Sequence, residues 1–159
     1  MIFVGDVAIA DGDSFCFEGF PDDLMTKPWC INLEGSLREV MATSSTPRGL
    51  YNSDLWVNSF CRFQVSAIFI GNNHIHDVEN GVVVACDRFV ARGFGVFGVG
   101  ETASEAARSL HVQSAGHEYV LIGFGWSVIG CVPAGLNRPG VNMYEGHGVL
   151  RSVCLALEQ

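Results

Sequence analysis

Short apolar runs, each followed by a glycine or a polar residue, recur along the chain at intervals typical of strands that alternate with helices. Continuous apolar runs are typical of parallel strands, because both faces of a parallel sheet are covered. Four such runs predict strands at residues 2–5, 29–33, 67–70 and 95–99. The first run ends at Gly5-Asp6 and the third at Gly71-Asn72, so both predicted strands open into polar loops.

The segments after these strands carry the apolar spacing of helices. Residues 55–63 suit a helix capped by Ser53 or Asp54, and residues 78–92 suit a longer helix that ends at Gly93. The residues that the spacing places on the buried side of the longer helix are Val82, Cys86, Phe89 and Val90.

Weaker signals complete the pattern. They predict a short helix at 104–108 and a last helix at 143–157, and residues 41–49 have the composition of a loop. A hairpin is predicted to join residues 110–114 to residues 118–123. The order of elements predicts one α/β domain over residues 1–159, with helices packed against a sheet.

Composition narrows the function classes. The 159 residues are 48% hydrophobic and 16% charged, which excludes a disordered chain. A formal net charge of −8 argues against general nucleic-acid binding, which depends on clustered Lys and Arg. No apolar run is long enough to span a membrane, and the N-terminus lacks a signal peptide's basic start, so we expect a cytoplasmic or peripherally membrane-associated protein.

Polar side chains suited to metal binding lie where three of the predicted strands end. In strand order they are Asp6; Asn32 and Glu34; and Asn72, Asn73 and His74. Ligands bind beyond the carboxyl ends of strands in open α/β sheets, so these groups are expected near one another. Hard oxygen ligands with an imidazole suit a divalent ion that polarises a phosphoryl oxygen and activates water, with a histidine as general acid.

Four stretches together resemble the CapA family of capsule and poly-gamma-glutamate synthesis proteins. They are residues 3–7 (FVGDV), 31–35 (INLEG), 71–77 (GNNHIHD) and 96–101 (VFGVGE) with the adjoining 103–106 (ASEA). Their order and approximate spacing agree with the family, and the resemblance extends from residue 1 to about residue 142. The combination of NLEG with NNHxxD is the most specific part of it.

The resemblance implies a calcineurin-like metallophosphoesterase fold, in which a β-sandwich is flanked by helices. It implies that Asp6, Glu34 and Asn73 are metal ligands and that His74 is the catalytic imidazole. The residues predicted to support them are Asn32, Asn72 and Asp77. The implied cofactor is a divalent metal, manganese or magnesium first, with zinc or iron as alternatives. The implied substrate is an anionic polymer or a phosphoester.

Two departures from the family pattern leave other functions open. Ala8 stands where many metallophosphoesterases have a histidine, and the family's later His-Trp-Gly-type motif has no counterpart in the chain. We therefore expect a domain that is incomplete at its C-terminus, with exposed apolar surface and self-association. A non-catalytic subunit of a polymer-synthesis complex and an inactive fragment are the alternatives to an enzyme.

Three further features have competing interpretations. Residues 93–98 match G-x-G-x-x-G, but they follow a predicted helix and enter a strand, the reverse of a dinucleotide-binding loop. His76 is either a second metal ligand or an ordinary loop histidine. Arg138, in a loop rich in glycine and proline, either clamps an anionic substrate or is simply solvated.

Overall fold

The computed structural model describes residues 1–9, 19–38, 49–61 and 63–158. The strands are β1 (Ile2–Val7), β2 (Trp29–Leu33), β3 (Ser36–Arg38), β4 (Tyr51–Ser53), β5 (Val65–Phe69), β6 (Gly95–Phe97), β7 (Val99–Gly100), β8 (Leu110–Ser114), β9 (His117–Leu121) and β10 (Gly140–Val141). The α-helices are α1 (Asp22–Met25), α2 (Val57–Phe60), α3 (Gly81–Val90), α4 (Ala103–Ala106) and α5 (Gly148–Leu157), with 3₁₀ turns at Asp54–Trp56 and Ser127–Ile129. The predicted α/β class is confirmed.

A four-stranded parallel sheet in the order β1-β2-β5-β6 forms the centre of the protein. Its register aligns Val4 with Ile31 and Ile31 with Ile68. All four strands come from the continuous apolar runs seen in the sequence. Because the strands are parallel, their carboxyl ends lie at one edge of the sheet.

One face of this sheet is buried by α2 and α3. Phe89 of α3 is fully buried, and its ring stacks on Phe60 of α2 at a centroid distance of 6.4 Å. α3 covers Gly81–Val90 and is shorter than the predicted helix at 78–92, and the turn that follows it includes Gly93, which is left-handed at φ 83°. There the Phe94 N–H donates to the Phe89 carbonyl at 3.1 Å, and the two rings meet edge to face, the contact that typically accompanies this kind of helix end.

The predicted inward orientation of Val90 is wrong. Val90 lies in the last turn of α3 and is 61% exposed, whereas Val82 and Phe89 are buried and Cys86 is half-buried. The apolar stripe of α3 is therefore narrower than the sequence suggests. Its last turn has already left the sheet, since the chain turns back at Gly93 to enter β6.

The opposite face of the sheet is covered by the β8–β9 hairpin. The prediction of this hairpin is confirmed, and Ala115 and Gly116 form its tight turn with φ angles of 51° and 78°. Both positive angles match the turn type that suits a two-residue hairpin. The hairpin covers only part of the face, and a cleft of about 480 Å³ remains open between β1 and β9.

The chain after β9 returns to the carboxyl edge of the sheet. β10 pairs antiparallel with β7, so that Val141 lies opposite Val99. The predicted strand at 95–99 is in fact two strands, because Gly98 adopts a φ of 88° and redirects the backbone between them.

Other predicted bounds are also corrected. The predicted helix at 55–63 is a 3₁₀ turn followed by one turn of α-helix, and Ser53 precedes it without a side-chain capping hydrogen bond. The predicted helix at 143–157 begins only at Gly148, because Met143 still bridges to Gly125 and Gly146 is left-handed. Most of the predicted loop at 41–49 lies outside the described residues. Within the described ranges, no helix has the length and apolar character to cross a membrane.

Candidate functional site

The carboxyl edge of the central sheet gathers the polar residues that the sequence singled out. β1 supplies Asp6, the end of β2 supplies Asn32 and Glu34, and the loop after β5 supplies residues 72–77. The parallel order of the three neighbouring strands brings their ends side by side. The expected convergence of these groups therefore follows from the observed topology.

Asp6 lies at an irregularity within β1 and not after the strand, as the sequence suggested. The register with β2 shifts between Val4 and Val7, and Asp6 has a φ of 46°. Such a bulge re-aims a side chain at a sheet edge. The exposed Asp6 carboxylate accepts a hydrogen bond from Nδ2 of Asn32 at 2.6 Å, which ties the first two strand ends together.

Glu34 lies immediately beyond β2 and is half-buried. Its backbone N–H donates to the carbonyl of Val7 at 2.9 Å, so the Glu34 backbone is fixed to the end of β1. Burial raises the pKa of the Glu34 carboxyl, and the nearby Asp6 charge raises it further. His74 and the Asn32 amide act in the opposite direction. Asp6, Glu34 and His74 thus belong to one electrostatic site.

Asn72 anchors the loop that carries His74. Its side-chain amide is buried and donates to the carbonyls of Leu33, Gly35 and Ile70 at 2.8, 3.2 and 3.3 Å. Its Oδ1 accepts the N–H of His74 at 2.8 Å, the two-residue turn typical of asparagine. One side chain therefore fixes both the end of β2 and the start of the His74 loop.

His74 and Asp77 form a hydrogen-bonded pair on that loop. Nδ1 of His74 lies 2.7 Å from Oδ2 of Asp77, and the same oxygen accepts the N–H of Leu50 at 2.9 Å. An ionised carboxylate can only accept hydrogen bonds. Opposite an ionised Asp77, the neutral His74 ring therefore carries its hydrogen on Nδ1, and Nε2 has the free lone pair. The His74 side chain remains 38% exposed, which leaves the imidazole accessible from solvent.

Two residues that lie against the site, Gly49 beside Asp77 and Asn52 beside Glu34, were not marked by any motif. Gly49 lies so close to Asp77 that a Cβ at this position would be 2.1 Å from Oδ2. Asn52 is 1% exposed, accepts the N–H of Ile9 at 2.6 Å and donates to the Glu34 carbonyl at 2.8 Å. Both residues contact partners distant in sequence, so no local motif marks them.

The remaining predicted residues have different positions. Asn73 is half-buried on the loop between Asn72 and His74. Arg138 instead lines a second cavity together with His76, and that cavity is not lined by Asp6, Glu34 or His74. His74 is therefore paired with Asp77, whereas His76 lines the second cavity.

The donor set at the edge is compatible with a hard divalent cation. Asp6 and Glu34 offer carboxylate oxygens, and Oδ1 of Asn32 is buried without a hydrogen-bond partner among the described residues. The described part of the chain has no group of three or more His, Cys, Asp or Glu side chains arranged to hold a metal. A cation here would thus need amide oxygens in addition to the two carboxylates, which suits Mg²⁺ or Mn²⁺ better than a soft metal.

Comparison with protein-family models and with curated protein sequences finds no match for the chain. The function is therefore inferred from the residues and their geometry.

Proposed function

We propose that the chain is a metal-dependent hydrolase of the phosphoester class, with the CapA-like, calcineurin-like metallophosphoesterase architecture that its motifs resemble. The observation that carries the proposal is the His74–Asp77 pair at the same sheet edge as Asp6 and Glu34. Paired acidic oxygens beside an oriented, accessible imidazole are the groups that phosphoester hydrolysis requires. Capsule or exopolysaccharide synthesis is the process in which we place this activity.

In this proposal Asp6, Glu34 and Asn73 hold a divalent cation, and Asn32 is a supporting residue whose Nδ2 fixes the Asp6 carboxylate. When bound, the cation supplies Lewis-acid activation of a phosphoryl oxygen and of water. Burial first, and the Asp6 charge second, raise the pKa of Glu34, and a cation between the two carboxylates would relieve the repulsion that Asp6 contributes. Manganese or magnesium is the expected ion.

His74 acts as the general acid for the leaving oxygen. The hydrogen bond from Nδ1 to Asp77 fixes the ring orientation, and Nε2 is the nitrogen that delivers the proton. Asp77 is a positioning residue, itself held by the N–H of Leu50. Asn72 determines where the loop begins, and a displaced imidazole would lose its alignment with the leaving group.

A Mn²⁺-dependent phosphatase assay on a synthetic aryl phosphate tests the assignment of His74. We expect His74→Ala to reduce kcat by about 10²–10⁴-fold, the typical contribution of a positioned acid. His117→Ala is the matched control, since His117 is exposed on the hairpin far along the chain from the site, and it should leave kcat unchanged. Equal rates for wild type and His74→Ala would overturn the role of His74.

A second measurement separates hydrolysis from binding alone. Mn²⁺ should raise the Tm of the wild-type chain, and Asp6→Asn should abolish the rise. Asparagine is the appropriate replacement because it tolerates the positive φ at this position. A Mn²⁺-dependent Tm shift without any phosphatase rate would instead favour a non-catalytic subunit of a polymer-synthesis complex. The absence of any shift would overturn the metal site.

A further inference from the structure

We infer that the cavity lined by His76, Asn80, Gly81 and Arg138 is a second site, which binds a phosphate-like oxyanion without a metal. The cavity has a volume of about 220 Å³ and lies between the start of α3 and the loop before β10. This cavity is separate from the proposed hydrolase site, because different residues line it. Its ligand would be held by cationic and N–H groups and not by carboxylates.

The strongest of these groups is Arg138, whose arm is already anchored. Its Nε donates to the Pro133 carbonyl at 3.2 Å, and its own carbonyl accepts the N–H of Gly135 at 2.8 Å. These contacts fix the guanidinium stem at the cavity wall. The two Nη groups have no protein partner among the described residues, and their planar fork suits bidentate binding of a phosphate.

The start of α3 adds backbone donors to the same cavity. α3 is ten residues long, and its first residues, Gly81 and Val82, line the space. The preceding Asn80 is left-handed at φ 54° and makes no side-chain capping hydrogen bond. The N–H of Gly81 already donates to the Val78 carbonyl at 3.0 Å, but the next N–H groups of a first helical turn have no intrahelical acceptor, and the helix dipole is positive there, so an anion would satisfy both.

His76 supplies the third component. Its ring lines the cavity, and its Nε2 is buried without a hydrogen-bond partner in the described part of the chain. Burial, and then the charge of Arg138, lower the pKa of His76, while the Asp77 charge and a hydrogen bond to the backbone of Val132 act in the opposite direction. The neighbouring Asp77 carboxylate uses Oδ2 for its hydrogen bonds with His74 and Leu50.

The position of Gly81 explains why the cavity exists. A Cβ at Gly81 would be 1.9 Å from the carbonyl oxygen of Ile75, so α3 starts in direct contact with the loop that carries His76. This contact brings the uncapped helix start next to the histidine. The loop containing Arg138 closes the third side through the pairing of β10 with β7.

Titration with inorganic phosphate in the presence of EDTA tests the site, because the chelator removes any metal from the proposed hydrolase centre. We expect saturable binding in the millimolar range and a shift of the amide resonances of Gly81 and Val82, with no shift at Gly116 of the hairpin. Sulfate should compete and chloride should not. Absence of saturation, or shifts spread over the hairpin, would overturn the proposal.

Substitutions locate the charge that matters. Arg138→Gln should weaken phosphate binding at least about tenfold, whereas Arg108→Gln, the same change at an exposed arginine after α4, should not. Arg138→Lys keeps the charge without the fork and should give an intermediate loss, which guards against a folding artefact. Phosphate affinity equal to wild type in Arg138→Gln would refute the site. His74→Ala should bind metal-free phosphate like wild type, so this result is separable from failure of the hydrolase proposal.

Discussion

Two sets of polar residues lie near the carboxyl edge of the sheet, and they differ in what surrounds them. The first set is the buried asparagines Asn52, Asn72 and Asn142, which are 1%, 4% and 5% exposed. The second set is the two carboxylates Asp6 and Glu34, which remain wholly or partly in contact with solvent. We call the first set the amide framework.

The side chains of the amide framework hydrogen-bond to backbone groups that have no partner in a neighbouring strand. Asn72 bonds the carbonyls where β2 and β5 end, and Asn142 donates to the carbonyl of Gly123 and to Oγ of Ser152 at 2.9 Å each. Buried carbonyls and N–H groups left without partners are destabilising, so these side chains contribute chiefly to folding. Each of them connects segments that are distant in sequence.

The carboxylate pair has the opposite character. Burial makes the charged form of Glu34 unfavourable, and repulsion from the Asp6 charge adds to this. Groups arranged against their own stability are typical of functional sites. The amide framework therefore satisfies buried backbone groups, whereas the carboxylate pair does not.

The largest effect is expected in the framework. Asn52→Ala removes the acceptor of the Ile9 N–H and the donor to the Glu34 and Ser36 carbonyls, so the free energy of unfolding should fall by about 3 kcal/mol. Urea denaturation monitored by circular dichroism measures the change. Asn137→Ala, at an exposed asparagine, is the control and should change stability by less than about 0.5 kcal/mol. A loss below about 1 kcal/mol for Asn52→Ala would remove Asn52 from the framework.

A smaller effect is expected where the framework meets the candidate catalytic pair. Gly49→Ala drives a methyl group into the Asp77 carboxylate at a backbone φ of +125°, so stability should fall by about 2 kcal/mol and the hydrogen bond to His74 should break. Gly93→Ala is the matched control, because Gly93 also has a positive φ but has open space where the alanine methyl group would lie. It should lose about 1 kcal/mol.

The ¹⁵N chemical shift of His74 Nδ1 distinguishes these two glycine variants. It should move in Gly49→Ala, where Asp77 is displaced, and stay at the wild-type value in Gly93→Ala. An unchanged shift in both variants would mean that Asp77 adjusts without releasing the imidazole.

The strands of the sheet were predictable because each contains a short apolar run, although only β2 is buried along nearly its whole length. Residues 29–33 are an example, since the predicted bounds coincide with β2. The hairpin turn at Ala115 and Gly116 was equally local. Where a few adjacent residues determine the conformation, the sequence pattern was sufficient.

The sequence could not reveal features that depend on distant partners. The bulge that re-aims Asp6 is defined only by its register with β2, and Asn52 bonds Ile9 across 43 residues. Arg138 was singled out by composition, but its position beside His76 follows from the pairing of β10 with β7. These are tertiary effects, and no local periodicity encodes them.

The smallest expected effect is a pH-dependent one at Glu34. The folded-state pKa of this carboxyl is raised, first by burial and then by Asp6, so the folded protein binds the proton more tightly than the unfolded chain. Glu34 therefore contributes stability below its ordinary pKa of 4.5 and loses that contribution as the pH rises through the raised value. At neutral pH, Glu34→Gln should be more stable than wild type.

The gain should be under about 1 kcal/mol because solvent screens a half-exposed group, and it should fade as the pH approaches 4. It should exceed the change in Glu79→Gln, an exposed glutamate outside the carboxylate pair. Urea midpoints of the three proteins between about pH 4 and 7 measure it. Destabilisation by Glu34→Gln at neutral pH would assign Glu34 to the framework. Saturating Mn²⁺ should make wild type more stable than Glu34→Gln. A cation between the two carboxylates replaces their repulsion with attraction to a shared ligand, and Glu34→Gln has lost one of the two carboxylates.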